Sequence, residues 1–401
     1  MQRETELEIG DRVRDLIERG PTPATTGFTE LDPSVYTDPT RHAQELALIA
    51  ASPVAALASS ELPAPGDFVT LRLAGVPIIV TRDRSGVVHA MRNACAHRGA
   101  TVETRASGSA RIFSCGFHAW SYELDGTLRS VSDATLFSTE PCTQGLRRLG
   151  CEERHGIIWV TPDADAEPRS VAEWLGADVD ELFGQLGLGE MVHFATTEYD
   201  LVCNWKLLTD GFMEIYHLKY LHRDSIAPYF PANLIAMDRF GSHFGGWLPK
   251  NRLVKELAER PRDDWEVLRH LTGAFVLVPG TVVQWQAGHV ELFSLRPHPN
   301  DPTRTVARLT MMVPAERFDA TELWQRNWER VCATIPAEDF AAAVEVQANI
   351  DAGAVDTIRL GANECLIGEH VAAVGERMRR SSAPPAPASP RERTRADSLV
   401  P

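Results

Sequence analysis

The chain has 401 residues, 44% of them hydrophobic and 24% charged, and a formal net charge of -15. Such acidity argues against nucleic acid as a partner, no apolar run is long enough to span a bilayer, and the length exceeds one ordinary domain. Seven cysteines, an odd number, imply reduced thiols and no disulfide framework.

In chain order, residues 1–46 read as helices interrupted by the Pro/Thr-rich stretch 20–26, and are expected to wrap a later domain. The first nine residues carry acidic side chains and lack the basic-then-apolar layout of a secretory signal, so a cytoplasmic location is expected. A first domain is placed at 47–161. Residues 66–75 and 76–81 read as short strands, 82–86 as a turn and 156–161 as the last strand. A second domain is placed at 162–380, with strands at 275–279, 281–286, 290–296 and 305–313 and helices from an Asp319 N-cap to Thr334 and from Glu338 to Asp351. A sheet packed by helices on one face makes the class α+β. From Ser381 the chain is Pro-, Ala- and Arg-rich without periodicity, and a disordered tail is expected over 381–401.

The first domain holds Cys95-Ala-His97 and Cys115-Gly-Phe-His118, separated by seventeen residues. One thiolate and one imidazole in each half suit a [2Fe-2S] cluster whose two irons take different ligands, the arrangement that raises its potential above all-cysteine clusters. The alternative is a structural zinc site, which more often pairs cysteines with cysteines. Cys142, Cys151, Cys203, Cys332 and Cys365 remain as buried thiols.

The second domain concentrates Asp210, Glu214, His217 and His222 within thirteen residues. Two histidines and a carboxylate on one face of an iron(II) ion leave positions open for dioxygen. On an ideal helix Asp210, Glu214 and His217 share a face, whereas His222 lies about 140° from His217. A break or π-bulge within Leu218–Leu221 is therefore expected. The alternative is an amphipathic core helix with satisfied histidines. No Gly-x-Gly-x-x-Gly motif follows a strand, so electrons must come from another protein.

Cys95-Ala-His97-Arg98-Gly99 and Cys115-Gly-Phe-His118-Ala-Trp120 resemble the Rieske domain of ring-hydroxylating oxygenase alpha subunits, although that family often has Pro at position 116 and Gly at 119. Asn204-Trp-Lys206 with Glu214, His217 and His222 resembles its iron motif. Pro336-Ala-Glu338-Asp339, continuing to Glu345 and Gln347 and followed by Gly361-Ala-Asn-Glu364, resembles its late acidic helix. The resemblance implies an all-β Rieske domain, a helix-grip catalytic domain, one [2Fe-2S] cluster and one mononuclear Fe(II). It implies cluster ligands Cys95, His97, Cys115 and His118 and iron ligands His217, His222 and Asp339; Glu338 is the competing carboxylate, since either acid also suits a first helical turn. Glu214 is implied to bond His217 and to reach a cluster histidine, His118, of a neighbouring subunit, with Asp210 as support.

The implied protein is a homotrimeric terminal oxygenase, fed by an NAD(P)H-dependent reductase with or without a ferredoxin, that hydroxylates an aromatic or other small organic substrate. Phe212, Met213, Tyr220 and Trp285 are candidate pocket residues. Glu at 214, where many members have Asp, also occurs in members acting on quaternary ammonium compounds, so a quaternary-amine monooxygenase is one alternative. An electron carrier with a non-catalytic second domain is the other.

Overall fold

The computed structural model describes residues 1–20, 27–137 and 143–382. Cys142, residues 21–26 and the tail beyond 382 lie outside them. The β-branched run Val76, Ile78, Ile79, Val80 and Thr81 suits a pleated, buried surface, and it forms the strand Val76–Arg82. This strand belongs to an antiparallel sheet ordered Val54–Ala58, Ile157–Thr161, Arg148–Arg154, Val88–Arg92, Val76–Arg82, Asp67–Leu73 and Ser107–Ser109. A small sheet of Phe113–Ser114, Ser121–Tyr122 and Leu128–Ser130 stands beside it.

The second large sheet is also antiparallel, ordered Met191–Leu201, Asp301–Pro314, Val290–His298, Thr281–Trp285, Leu271–Leu277, His243–Pro249 and Ala236–Phe240. Four of these strands are the expected ones. Met191–Leu201 and the hairpin Ala236–Phe240 with His243–Pro249 are not. The hairpin contains Gly245 and Gly246, which weaken a strand on propensity. Here they admit neighbours: a Cβ at Gly245 would meet Phe275 Cδ1 at 2.5 Å, and one at Gly246 would meet Ile235 Cδ1 at 2.7 Å.

Side chains alternate across this sheet. Val276, Val282, Phe293, Leu295 and Leu309 face one core, shared with Leu73, Ile78 and Val160 of the first sheet and with Trp205, Phe340 and Val374 from helices. Phe275, Val283, Trp285 and Leu292 face a second core, closed by Leu7 and Val13 of the helix Arg3–Arg19 and by Trp174 and Phe183. Helices thus cover both faces, where the sequence reading placed them on one.

The helix Pro39–Ala50, capped by Asp38 accepting from Thr40 N–H at 2.7 Å, runs past residue 46. The helix Thr321–Thr334 begins after Ala320, with no side-chain cap, so Asp319 is not its N-cap. The last helix, Cys365–Ser382, reaches into the region expected to be disordered.

Candidate metal centres

Cys95 and Cys115 open two loops that are closed in the same way. Gly99 N–H donates to Cys95 O and Cys95 N–H to Ala100 O, both at 2.8 Å; Ala119 N–H donates to Cys115 O at 2.9 Å and Cys115 N–H to Trp120 O at 2.8 Å. The fifth residue of each loop is left-handed, φ 79° at Gly99 and 56° at Ala119. Both thiols are buried and free. The half-buried rings of His97 and His118 lie 4.7 Å apart between centroids, and His97 stacks on Trp120 at 5.0 Å. Two inward thiols and two outward imidazoles fit a cluster that shows its histidine iron to the surface.

Tyr122, which the sequence reading missed, has its hydroxyl 3.0 Å from Cys95 Sγ, and the same oxygen accepts Ala96 N–H at 3.1 Å. Burial, and then the contact with Cys95, raises the hydroxyl's pKa. It therefore stays protonated as a donor to sulfur. A tyrosine directly after the second loop, on the strand Ser121–Tyr122, was the available signal.

The histidine pair is built differently from an ideal helix. The helix Trp205–Asp210 ends, residues 211–217 turn, and Leu218–Leu221 makes a single helical turn flanked by His217 and His222. The interruption therefore precedes His217, and the expected break within Leu218–Leu221 is not there. Nor do Asp210, Glu214 and His217 share a helix face. Glu214 causes the change by accepting the main-chain N–H groups of Tyr216 and, at 3.1 Å, His217. Its side chain thus starts the new turn in competition with helix continuation.

His217 Nε2 and His222 Nε2 converge on one oxygen, Asp339 Oδ1, at 3.5 Å and 3.2 Å. The other nitrogen of each ring bonds a carboxylate, His217 Nδ1 to Glu214 and His222 Nδ1 to Glu338. That pattern favours a proton on Nδ1 and leaves each Nε2 lone pair for a cation. Asp339 Oδ2 is buried without a hydrogen-bond partner among the described residues. Burial disfavours a charged His222 ring, but bonds and charge from Asp339 and Glu338 outweigh it and raise its pKa. The local excess of negative charge and the unpartnered oxygen fit a divalent metal ion.

Asp339 lies in a π-helical turn, Pro336–Phe340, where an ordinary helix start at Glu338 was expected. Pro336 has no N–H to give, and Phe340 N–H reaches back to Ile335 O at 3.0 Å. The wide turn sends Glu338 and Asp339 to different atoms of the same histidine. Asp210, by contrast, makes no hydrogen bond to either imidazole among the described residues; its Oδ2 accepts the Tyr36 hydroxyl at 2.8 Å.

A cavity of about 500 Å³ opens onto His217, His222 and Asp339. Phe212 lines it. Met213 and Trp285 instead belong to the two cores, and Tyr220 is 59% exposed against Tyr216.

Paired loops that fit a cluster in the first domain, and a two-histidine, one-carboxylate site on helical turns in the second, are the marks of a two-centre metalloprotein of the oxygenase type. Residues 52–139 match the Rieske [2Fe-2S] domain, and residues 188–380 match the ring hydroxylating alpha subunit (catalytic domain). The chain belongs to this family of Rieske oxygenase alpha subunits, and its cofactors are a Rieske cluster and a mononuclear iron. The large subunit of anthranilate 1,2-dioxygenase from Acinetobacter baylyi is 32% identical over 208 residues, covering 50% of this chain and 44% of that protein. Choline monooxygenase from Beta vulgaris is 30% identical over 206 residues, with the same 50% and 44%. The chain thus spans less than half the length of these relatives. A solved quaternary ammonium Rieske monooxygenase, described with carnitine oxidation and inter-subunit electron transfer, shares the fold at TM-score 0.70 and 19% identity, over 91% of this chain and 98% of that one.

Proposed function

We propose that this chain is the terminal oxygenase of a reductase-fed system that hydroxylates a small organic substrate. The observation that carries the reading is the convergence of His217 and His222 on Asp339 at the wall of a cavity of substrate size. In this reading Cys95, His97, Cys115 and His118 hold the cluster, and His217, His222 and Asp339 hold the iron. When bound, the cluster supplies electrons singly and iron(II) supplies the position at which dioxygen is activated. Glu214 and Glu338 fix the two imidazoles, while Phe212, Ile215 and Leu218 keep the cavity wall apolar.

Glu214 is also proposed as the link to His118 of the partner subunit in a homotrimer. Phe117, beside His118, is 57% exposed, and Tyr216, beside His217, is 49% exposed. Apolar side chains left open next to both centres support burial of the two against each other between copies. The electron donor is proposed to be an NAD(P)H-dependent reductase, directly or through a ferredoxin.

Iron analysis tests the reading against an electron carrier. The oxygenase holds a third iron beyond the cluster's two, and His217→Ala removes it without bleaching the cluster's visible absorption. Equal iron content in wild type and His217→Ala would favour the carrier. A substrate screen with an added reductase, scored by dioxygen uptake and product, then finds the substrate.

A further inference from the structure

Beyond the histidines, the cavity carries cations that the oxygenase reading does not use. Lys250 follows the strand His243–Pro249, with its main-chain N–H on His270 O at 2.9 Å. Its half-buried ammonium lines the cavity without a hydrogen-bond or ion-pair partner among the described residues. Arg330 lines it too, from the helix Thr321–Thr334, and its guanidinium likewise has none. Asn327, Arg330, Val331 and Thr334 fall at i, i+3, i+4 and i+7, so one face of that helix borders the cavity.

The nearby carboxylate is already engaged. Glu291 is buried and bonded by His289 Nε2 at 3.2 Å and Gln286 Nε2 at 3.4 Å. Burial lowers the Lys250 pKa, and of its two charged neighbours Glu291 raises it while Arg330 lowers it. Two unpaired cations on one partly desolvated cavity repel each other, and an anion between them relieves that repulsion while making charge-assisted hydrogen bonds to both.

We propose that the substrate is a small organic acid whose carboxylate or sulfonate is held by Lys250 and Arg330, its apolar part lying along Phe212 and Val331; the word substrate here rests on the oxygenase reading of the same cavity. A lone quaternary ammonium group is repelled by the same pair.

The test is calorimetric binding of benzoate, benzamide and benzyltrimethylammonium to the iron-loaded protein. Benzoate is expected to bind about tenfold or more tightly than benzamide, with the cation weakest. Lys250→Met abolishes that preference and Lys250→Arg keeps it; Arg330→Met, a change at an exposed residue, gives the same reading if Lys250→Met does not fold. Equal affinity for benzoate and benzamide, tighter binding of the cation, no binding of any probe, or an undiminished preference in folded Lys250→Met overturns the proposal. Dioxygen uptake with a chemical reductant is measured alongside. An anion preference without uptake keeps the acid site and removes the oxygenase, whereas uptake without the preference does the reverse.

Discussion

The Tyr36 hydroxyl donates to Asp210 Oδ2 at 2.8 Å, joining the amino-terminal segment to the helix that leads into the histidine pair. Asp210 Oδ1 is sealed from solvent without a hydrogen-bond partner among the described residues. Burial lifts the Asp210 pKa from an ordinary 3.8 to about 7, against the pull of Tyr36 and Lys206 and with help from Glu214 and Glu364. A carboxyl raised in the folded state binds its proton more tightly there than in the unfolded chain. Its contribution to stability is therefore greatest in acid, falls as pH rises from about 4 to about 7, and is constant above that.

Asp210→Asn removes the penalty and can still accept from Tyr36. The variant is expected to gain stability over wild type progressively between those pH values, reaching about 4 kcal/mol at pH 8. Thermal unfolding across pH measures this. A difference independent of pH would mean that Asp210 does not titrate in that window.

Glu338 and Asp339 are adjacent acids with separate tasks at one histidine. Asp339→Ala is expected to lose the mononuclear iron while the cluster's absorption remains. Glu338→Gln is expected to retain iron with affinity lowered about 10–100-fold, the usual effect of losing a carboxylate behind a ligating imidazole. Iron titration with a competing chelator separates them. The opposite order would make Glu338 the ligand.

Much of the candidate metal chemistry was legible because ligand type is set by the metal and the proposed ligands fall largely in short strings: Cys95 to His118, then His217 to His222. The local backbone was less so. Helix periodicity through residues 210–222 could not anticipate Glu214 bonding the N–H groups of Tyr216 and His217, and the distinction between Glu338 and Asp339 needed the wide turn begun at Pro336. Gly245 and Gly246 hid a strand because what they admit, Phe275 and Ile235, is tertiary. The cavity was hidden for the same reason, since Lys250, Gln286, Glu291 and Arg330 come from three separate stretches.

Ala119 holds φ 56° at the position that Gly99 fills in the matching loop. A Cβ in this conformation costs roughly 1–2 kcal/mol. Ala119→Gly is expected to stabilise the cluster-loaded protein by about 1 kcal/mol, part of the gain being offset by the more flexible unfolded chain. The cluster's absorption should not change. A lower melting temperature would show that the Ala119 methyl makes a compensating contact.

Asn204, Trp205 and Lys206 serve as an anchor for the amino-terminal segment, not for the iron. Asn204 Nδ2 donates to Tyr36 O at 3.0 Å and Pro302 O at 2.8 Å, while Glu45 Oε2 takes Trp205 Nε1–H at 3.1 Å and the Lys206 ammonium at 2.5 Å. The Lys206 and Glu45 side chains are each 1% exposed. Burial lowers the Lys206 pKa and Glu45 opposes that, so the charge depends on its partner. Glu45→Gln keeps an acceptor for Trp205 but leaves a buried cation uncompensated, and is expected to cost about 3 kcal/mol. Urea unfolding of wild type and variant, each loaded with both metals, measures the loss. Because the pair lies away from the histidines, iron affinity should be unchanged in the fraction that remains folded; a stable variant with weakened iron binding would transfer Lys206 from the anchor to the metal site.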